Sequence, residues 1–203
     1  MNIFKFTVVC AAVIATAGCD QGQPANPTPT TTPEQGTSTV PFSDFDATKK
    51  AAESGDAEAQ VDVGMTYRFG RGVPRDNAEA AKWFRLAADQ GNATAQASLG
   101  SMYALGDGLP RDYVEAGKWY RLAAEQGNTA SWAFMAEIYK NGFGVDQDLI
   151  EAYAWYSASE MMKGGSPFAS SNRENIEAKL TADQFTAAKK RAAELLEKYG
   201  SGN

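Results

Sequence analysis

The sequence predicts an all-α solenoid of stacked, antiparallel helix pairs, and three observations carry that prediction. The chain repeats itself at a spacing of 36 residues from residue 57 onward. Within each period, two apolar stripes at helical spacing flank a glycine-rich loop. The repeated positions are small or aromatic residues, which one helix pair cannot bury alone but a stack of pairs can.

The elements follow in order. "MNIFKFTVVCAAVIATAGC" at 1–19 has one cation, Lys5, then an apolar run from Phe6 to Ala15, then small residues. That pattern is a secretory signal over residues 1–18, too short to span a membrane. "DQGQPANPTPTTTPEQGTSTVPFS" at 20–43 holds five of the eight prolines among Thr, Gln, Gly and Ser. It has nothing from which to build a core, and with Cys19 it reads as a disordered tether, residues 19–43. "FDATKKAAESGD" at 45–56 aligns with the second half of a repeat, so a lone helix opens the stack.

Three units follow, 57–92, 93–128 and 129–163, completing a solenoid over 44–163. Their shared columns include Gly64, Gly100 and Ala136; Tyr67, Tyr103 and Tyr139; and Trp83, Trp119 and Trp155. In unit one the first helix is expected over 57–69, with Val63, Gly64 and Tyr67 on one stripe. A mid-helix glycine costs about 1 kcal/mol relative to alanine, and a close approach by the second helix accounts for it. That second helix, expected over 77–90, presents Ala80, Trp83, Phe84 and Ala87. The "GN" at 91–92 ends it and turns into the next unit.

The loop between the two helices occurs as "FGRGVPRD" (69–76), "LGDGLPRD" (105–112) and "NGFGVDQD" (141–148). Its central residue is Arg71, Asp107 or Phe143 in turn. A phosphate cradle would not survive that change of sign, whereas a turn needing positive φ at its glycines is indifferent to it. Asp76, Asp112 and Asp148 each precede a glutamate by three residues (Glu79, Glu115, Glu151), which predicts a capping box on every second helix. Past the repeat, one helix starts near Pro167 and another is opened by Thr181 with Gln184 in capping-box register. The last carries a stripe of Phe185, Ala188, Ala192, Leu195 and Leu196, suited to a terminal cap in a closing segment 164–199.

The chemistry is sparse. The chain has no histidine, so the commonest general base and metal ligand is missing. Cys10 leaves with the signal, and no serine sits in a G-x-S-x-G elbow. The acidic residues recur with the repeat and show no EF-hand spacing. No catalytic, cofactor-binding or metal-binding residue is assigned, no cofactor is expected, and the chain reads as a non-enzyme. The net charge of −6 becomes one unit more negative once Lys5 is lost with the signal. An acidic surface argues against nucleic acid as a partner.

Two resemblances add to this reading. "TAGC" (16–19) resembles the lipobox of bacterial lipoproteins, which implies acylation of Cys19 and a membrane-anchored, periplasm-facing place in the bacterial cell envelope. Thr16 stands where that family usually has leucine, so cleavage after Ala17, releasing a free periplasmic protein, stays open. Asp20 resembles the inner-membrane retention signal of enteric bacteria, a rule not shared by all bacteria, so the outer membrane also stays open. "AEAQVDVGMTYRFGRGVPRDNAEAAKWFRLAADQGN" (57–92) resembles the Sel-one-like repeat (SLR) of the tetratricopeptide-like superfamily, and the resemblance extends over roughly 45–163. Ala136 and the altered ending of the third unit depart from the pattern.

The SLR resemblance implies a right-handed superhelix, monomeric, whose first helix in each pair lines a concave groove for another protein or peptide. β-Lactamase-like members are cysteine-rich, a feature this chain lacks. Side chains of that helix that do not repeat are the candidate groove residues. Unit one offers Glu58, Asp62, Met65 and Phe69. Unit two offers Ser98, Ser101 and Leu105, and unit three offers Phe134, Glu137 and Asn141. Trp132, where the other units have Gln60 and Gln96, is expected to fill space in the irregular third unit. The implied function is a membrane-tethered periplasmic scaffold for protein–protein interaction. The alternative is an immunity lipoprotein neutralising a secreted, envelope-targeting toxin.

Overall fold

A computed structural model describes residues 42–162 and 167–200. The signal segment 1–18, Cys19 and the tether through residue 41 lie outside the described residues. Nine helices make up the described part: α1 (Phe42–Glu53), α2 (Ala57–Phe69), α3 (Asn77–Asp89), α4 (Ala93–Leu105), α5 (Tyr113–Glu125), α6 (Thr129–Asn141), α7 (Leu149–Met161), α8 (Pro167–Glu177) and α9 (Ala182–Tyr199). Helix α1 starts two residues inside the stretch read as tether, a difference within the margin to which helix ends are defined. Each helix from α2 to α8 packs on the one before it, and α9 turns back onto α7. The result is the expected all-α solenoid of antiparallel pairs: α2–α3, α4–α5 and α6–α7, with α1 before them and α8–α9 after.

Local chemistry fixes the ends of these helices. Asp56, Asn92 and Asn128 cap α2, α4 and α6, each side chain accepting the N–H three residues on at 2.9–3.0 Å. Asp76, Asp112 and Asp148 cap α3, α5 and α7 in the same way. Here the sequence expectation needs correcting, because the reciprocal half of the capping box is not made. The cap N–H of each aspartate donates instead to the carbonyl of Tyr67, Tyr103 or Tyr139 at 2.9 Å, tying the loop shut. The glutamates are thereby released to cations: Glu79 to Lys82 at 2.7 Å, Glu115 to Lys118 at 2.5 Å and Glu151 to Arg191 at 2.5 Å. Thr181 and Gln184 do form the full box at the start of α9.

The mid-helix glycines mark close approach, as expected. A Cβ at Gly64 would lie 2.9 Å from the Phe84 ring, and one at Gly100 3.0 Å from the Tyr120 ring. Such a methyl would force the rings to shift in a core where Phe84 and Tyr120 are almost fully buried. Each unit then grips its predecessor through one side chain near the start of its first helix. Gln60 Nε2 donates to the Ala52 carbonyl at 3.1 Å and Gln96 Nε2 to Ala88 at 3.2 Å. Trp132 Nε1 makes the same bond to Ala124 at 3.0 Å, so it keeps the donor while filling space against Trp155 at 5.2 Å between centroids. Gln90 and Gln126 donate to the side-chain oxygens of Gln60 and Gln96 at 2.7 and 2.8 Å. Tryptophan has no such acceptor, and the matching third position is the apolar Met162, packed against the same core.

The loops do more than turn the chain. Gly70, Gly106 and Gly142 close their helices in the left-handed conformation (φ 66°, 73° and 69°), as a glycine C-cap requires. The residue between the glycines, read from sequence as immaterial, is in fact matched to a partner in the preceding unit. Asp107 accepts from the Asn77 side chain and lies 3.9 Å and 3.5 Å from Arg68 and Arg75. At the next seam Phe143 stacks on Tyr113, which holds the position of Asn77, with centroids 4.4 Å apart. A Cβ at Gly108 would sit 2.4 Å from the backbone carbon of Asn77, whereas one at Gly72 would meet nothing within 4 Å.

Candidate functional site

The candidate groove residues divide into those the fold consumes and those it leaves free. Ser98 is buried, 7% exposed, which corrects its assignment to a binding face: it has almost no surface to offer. Ser101 accepts a hydrogen bond from Arg68 at 3.3 Å, linking unit one to unit two, and Glu58 accepts one from Asn92, the cap of α4, at 2.7 Å. Met65 packs against the core around Phe84 and Leu99. Phe134 is partly exposed but its ring lies flat on Tyr120, centroids 4.7 Å apart.

Glu137 and Asn141 belong to a polar knot between α6, α7 and α8. The Glu137 carboxylate accepts from Lys140 at 2.5 Å, from the Tyr156 hydroxyl and from the Asn141 amide at 2.8 Å. Lys140 also donates to Asn172 of α8 at 3.1 Å. Burial alone would raise the Glu137 carboxyl, but the bonds from Lys140 and Tyr156, the lysine charge and the Asn141 amide outweigh it. The group is held below the ordinary carboxylate value. The Tyr156 hydroxyl is pushed up, by burial first and then by the carboxylate it serves. Both directions agree with a phenol that donates to an ionised carboxylate.

Asp62, Phe69 and Leu105 are left facing solvent. Phe69 and Leu105 are the last residues of α2 and α4, at matched positions, and are 57% and 68% exposed. The Arg71 guanidinium stands 5.1 Å from the Phe69 ring centre. The arrangement offers apolar surface to a partner. Among the described residues no group of three or more His, Cys, Asp or Glu is placed to hold a metal ion, and no helix is long and apolar enough to cross a membrane. The sequence reading passed over a second surface, on α5, whose signal was Gly117 standing mid-helix where the sister units carry Ala81 and Tyr153.

The comparisons agree with this architecture. The family description "Sel1 repeat" matches residues 57–92, 93–128 and 133–161. No curated protein sequence matches the chain. Among solved structures, c5321, a protective antigen of uropathogenic Escherichia coli strains displaying an SLR fold, is 36% identical with a TM-score of 0.71. The alignment covers 76% of this chain and 33% of that one, so the chain spans about a third of that relative's length. A Sel1 repeat protein from Oxalobacter formigenes is 33% identical with a TM-score of 0.58, over 65% of this chain and 98% of that one. With the period, the packing glycines, the loop seams and these matches in agreement, the chain belongs to the Sel1 repeat family.

Proposed function

We propose that the protein is a membrane-tethered periplasmic scaffold that holds a partner protein or peptide against the exposed ends of α2 and α4, with Cys19 as its lipid-bearing residue. Sel1 repeat proteins act as scaffolds for protein–protein interaction. The observation that carries the reading is the pair Phe69 and Leu105, large apolar side chains more than half exposed at matched positions of adjacent units. The buried core clusters do not include them, and large apolar groups kept in water at matched positions of neighbouring units favour a contact surface. The Pro- and Thr-rich stretch after Cys19 supplies the reach, up to about 70 Å if fully extended as polyproline.

The experiment is a pull-down from membranes using the full lipidated chain, repeated with Phe69→Ala and Leu105→Ala together. Met65 stays intact because it packs on the core. The double variant is expected to melt at the parent temperature and to retain its partner about tenfold less well. Undiminished recovery of the same partner would place the contact elsewhere. In parallel, Cys19→Ser is expected to move the chain from the membrane to the soluble periplasmic fraction; unchanged membrane association would remove the lipid anchor from this reading.

A further inference from the structure

Helix α5 carries a glycine that packing does not require. Gly117 sits mid-helix, where glycine costs about 1 kcal/mol relative to alanine. Its sister positions, Ala81 and Tyr153, are both buried at 3% exposure. Unlike Gly64 it faces no ring: an added Cβ would come no nearer than 3.6 Å to any neighbour, the Ile138 Cδ1, an ordinary contact. The missing side chain opens instead onto a cavity of about 400 Å³ between α5, α6 and the loop that follows α6. Buried Met135 and Ile138 form its base, and half-exposed Val114, Leu122 and Val145 form its walls.

Two cations line the same cavity. Lys118 is paired with Glu115 at 2.5 Å. The Arg121 guanidinium donates to the Tyr139 hydroxyl at 3.0 Å and meets no carboxylate among the described residues. An apolar hollow with a guanidinium beside it that pairs with no carboxylate among the described residues calls for an apolar group with a negative charge nearby.

The molecule itself shows how such a face is covered. On α7 the sister positions to Val114, Gly117, Lys118 and Leu122 are Ile150, Tyr153, Ala154 and Ala158, and these lie in the core that α9 completes. Phe185 of α9 meets Tyr153 edge-on at 5.4 Å, and Arg191 pairs with Glu151 at 2.5 Å. Helix α9 is thus an amphipathic helix docked on the face of a second helix of a pair, and among the described residues the same face of α5 has no such cover. The charge requirement differs, because α5 puts Lys118 and Arg121 where α7 has Ala154 and Ser157.

We infer that the α5 face around Gly117 is a second docking site, and that its occupant is an acidic amphipathic helix of a partner protein. One large apolar side chain of that helix enters the cavity, and a carboxylate three or four residues away, on the same helical face, meets Arg121. The α9 of a second copy is the wrong match, since no carboxylate stands three or four residues from its Phe185, Leu195 or Leu196 to meet Arg121. This site is separate from the α2 and α4 ends, so it stands or falls independently of Phe69 and Leu105.

The test is a displayed library of 18-residue helix-forming peptides selected on the full chain. Selected peptides are expected to share a Phe, Leu or Met with Asp or Glu three or four positions away. Their affinity, read by fluorescence anisotropy, should fall at least about tenfold against Gly117→Leu and, separately, against Arg121→Glu. It should be unchanged by Phe69→Ala with Leu105→Ala. Gly117→Leu is expected to melt no lower than the parent, because leucine restores helix propensity and enters open space. Arg121→Glu, at an exposed position, tests the charge even if that first variant fails to fold. No binder from the library, binders without acidic residues, or binders indifferent to both variants would overturn the inference. So would a concentration-dependent dimer in sedimentation that Gly117→Leu abolishes, since that assigns the face to a second copy.

Discussion

At Gly108 a hydrogen in place of a methyl group lets two units close, and Gly72 provides the control. Both residues have positive φ, 76° and 75°, so alanine strains the backbone at each by roughly 1–2 kcal/mol. Only at Gly108 does the added carbon also strike the Asn77 backbone, 2.4 Å away. Urea denaturation should therefore show Gly108→Ala losing about 2 kcal/mol or more beyond the loss of Gly72→Ala. Equal losses would mean that the seam relaxes without cost. The glycines were legible in the sequence as turn residues because positive φ is a local property. The contact at Gly108 was not legible, since the backbone it meets lies 31 residues earlier. Trp132 was legible as a space-filler, but its indole N–H taking over the donor role of Gln60 and Gln96 needed the three-dimensional register.

Among elements, the coupling between a loop and the second helix of the preceding unit differs from seam to seam. Seam one joins Asn77 to Asp107, and seam two joins Tyr113 to Phe143. Transplanting the aromatic pair tests whether each pair acts as a unit. Asn77→Tyr and Asp107→Phe should each destabilise alone, and Asp107→Phe more, because it also strips Arg68 and Arg75 of their carboxylate. Together they should recover about 1 kcal/mol of favourable coupling in a double-mutant cycle. A coupling of zero would mean that the two columns vary independently. The helices themselves were readable almost to the residue, since period, caps and stripes are short-range signals. The candidate surface was readable only in part. Among the positions that vary between units, Phe69 and Leu105 are exposed. Variation alone could not separate them from Ser101, Glu58 or Glu137, whose partners are equally idiosyncratic and lie inside the protein.

For the molecule as a whole, stability passes from neighbour to neighbour, and the far end depends on α9. Phe185, Ala188, Ala192 and Leu195 complete the core that holds Tyr153, Trp155 and Ala158. A chain ending at Leu180 would uncover that face, at a loss of about 3 kcal/mol or more from apolar burial alone. Hydrogen exchange should then show α6 and α7 losing protection while α2 and α3 keep theirs, as a nearly one-dimensional stack requires. Uniform loss along the array would show that the units unfold together.

The unlike seams have one more consequence. Tandem copies of near-identical sequence tempt a growing chain to pair helices out of order, a known route to trapped folding intermediates. Here a third unit that settles on the first brings Phe143 against Asn77, and that mismatch offers neither the bond nor the stack of the correct pairs. The varied loop residue thus serves as an address label, allowing each repeat to be tested against its proper place before the array is complete.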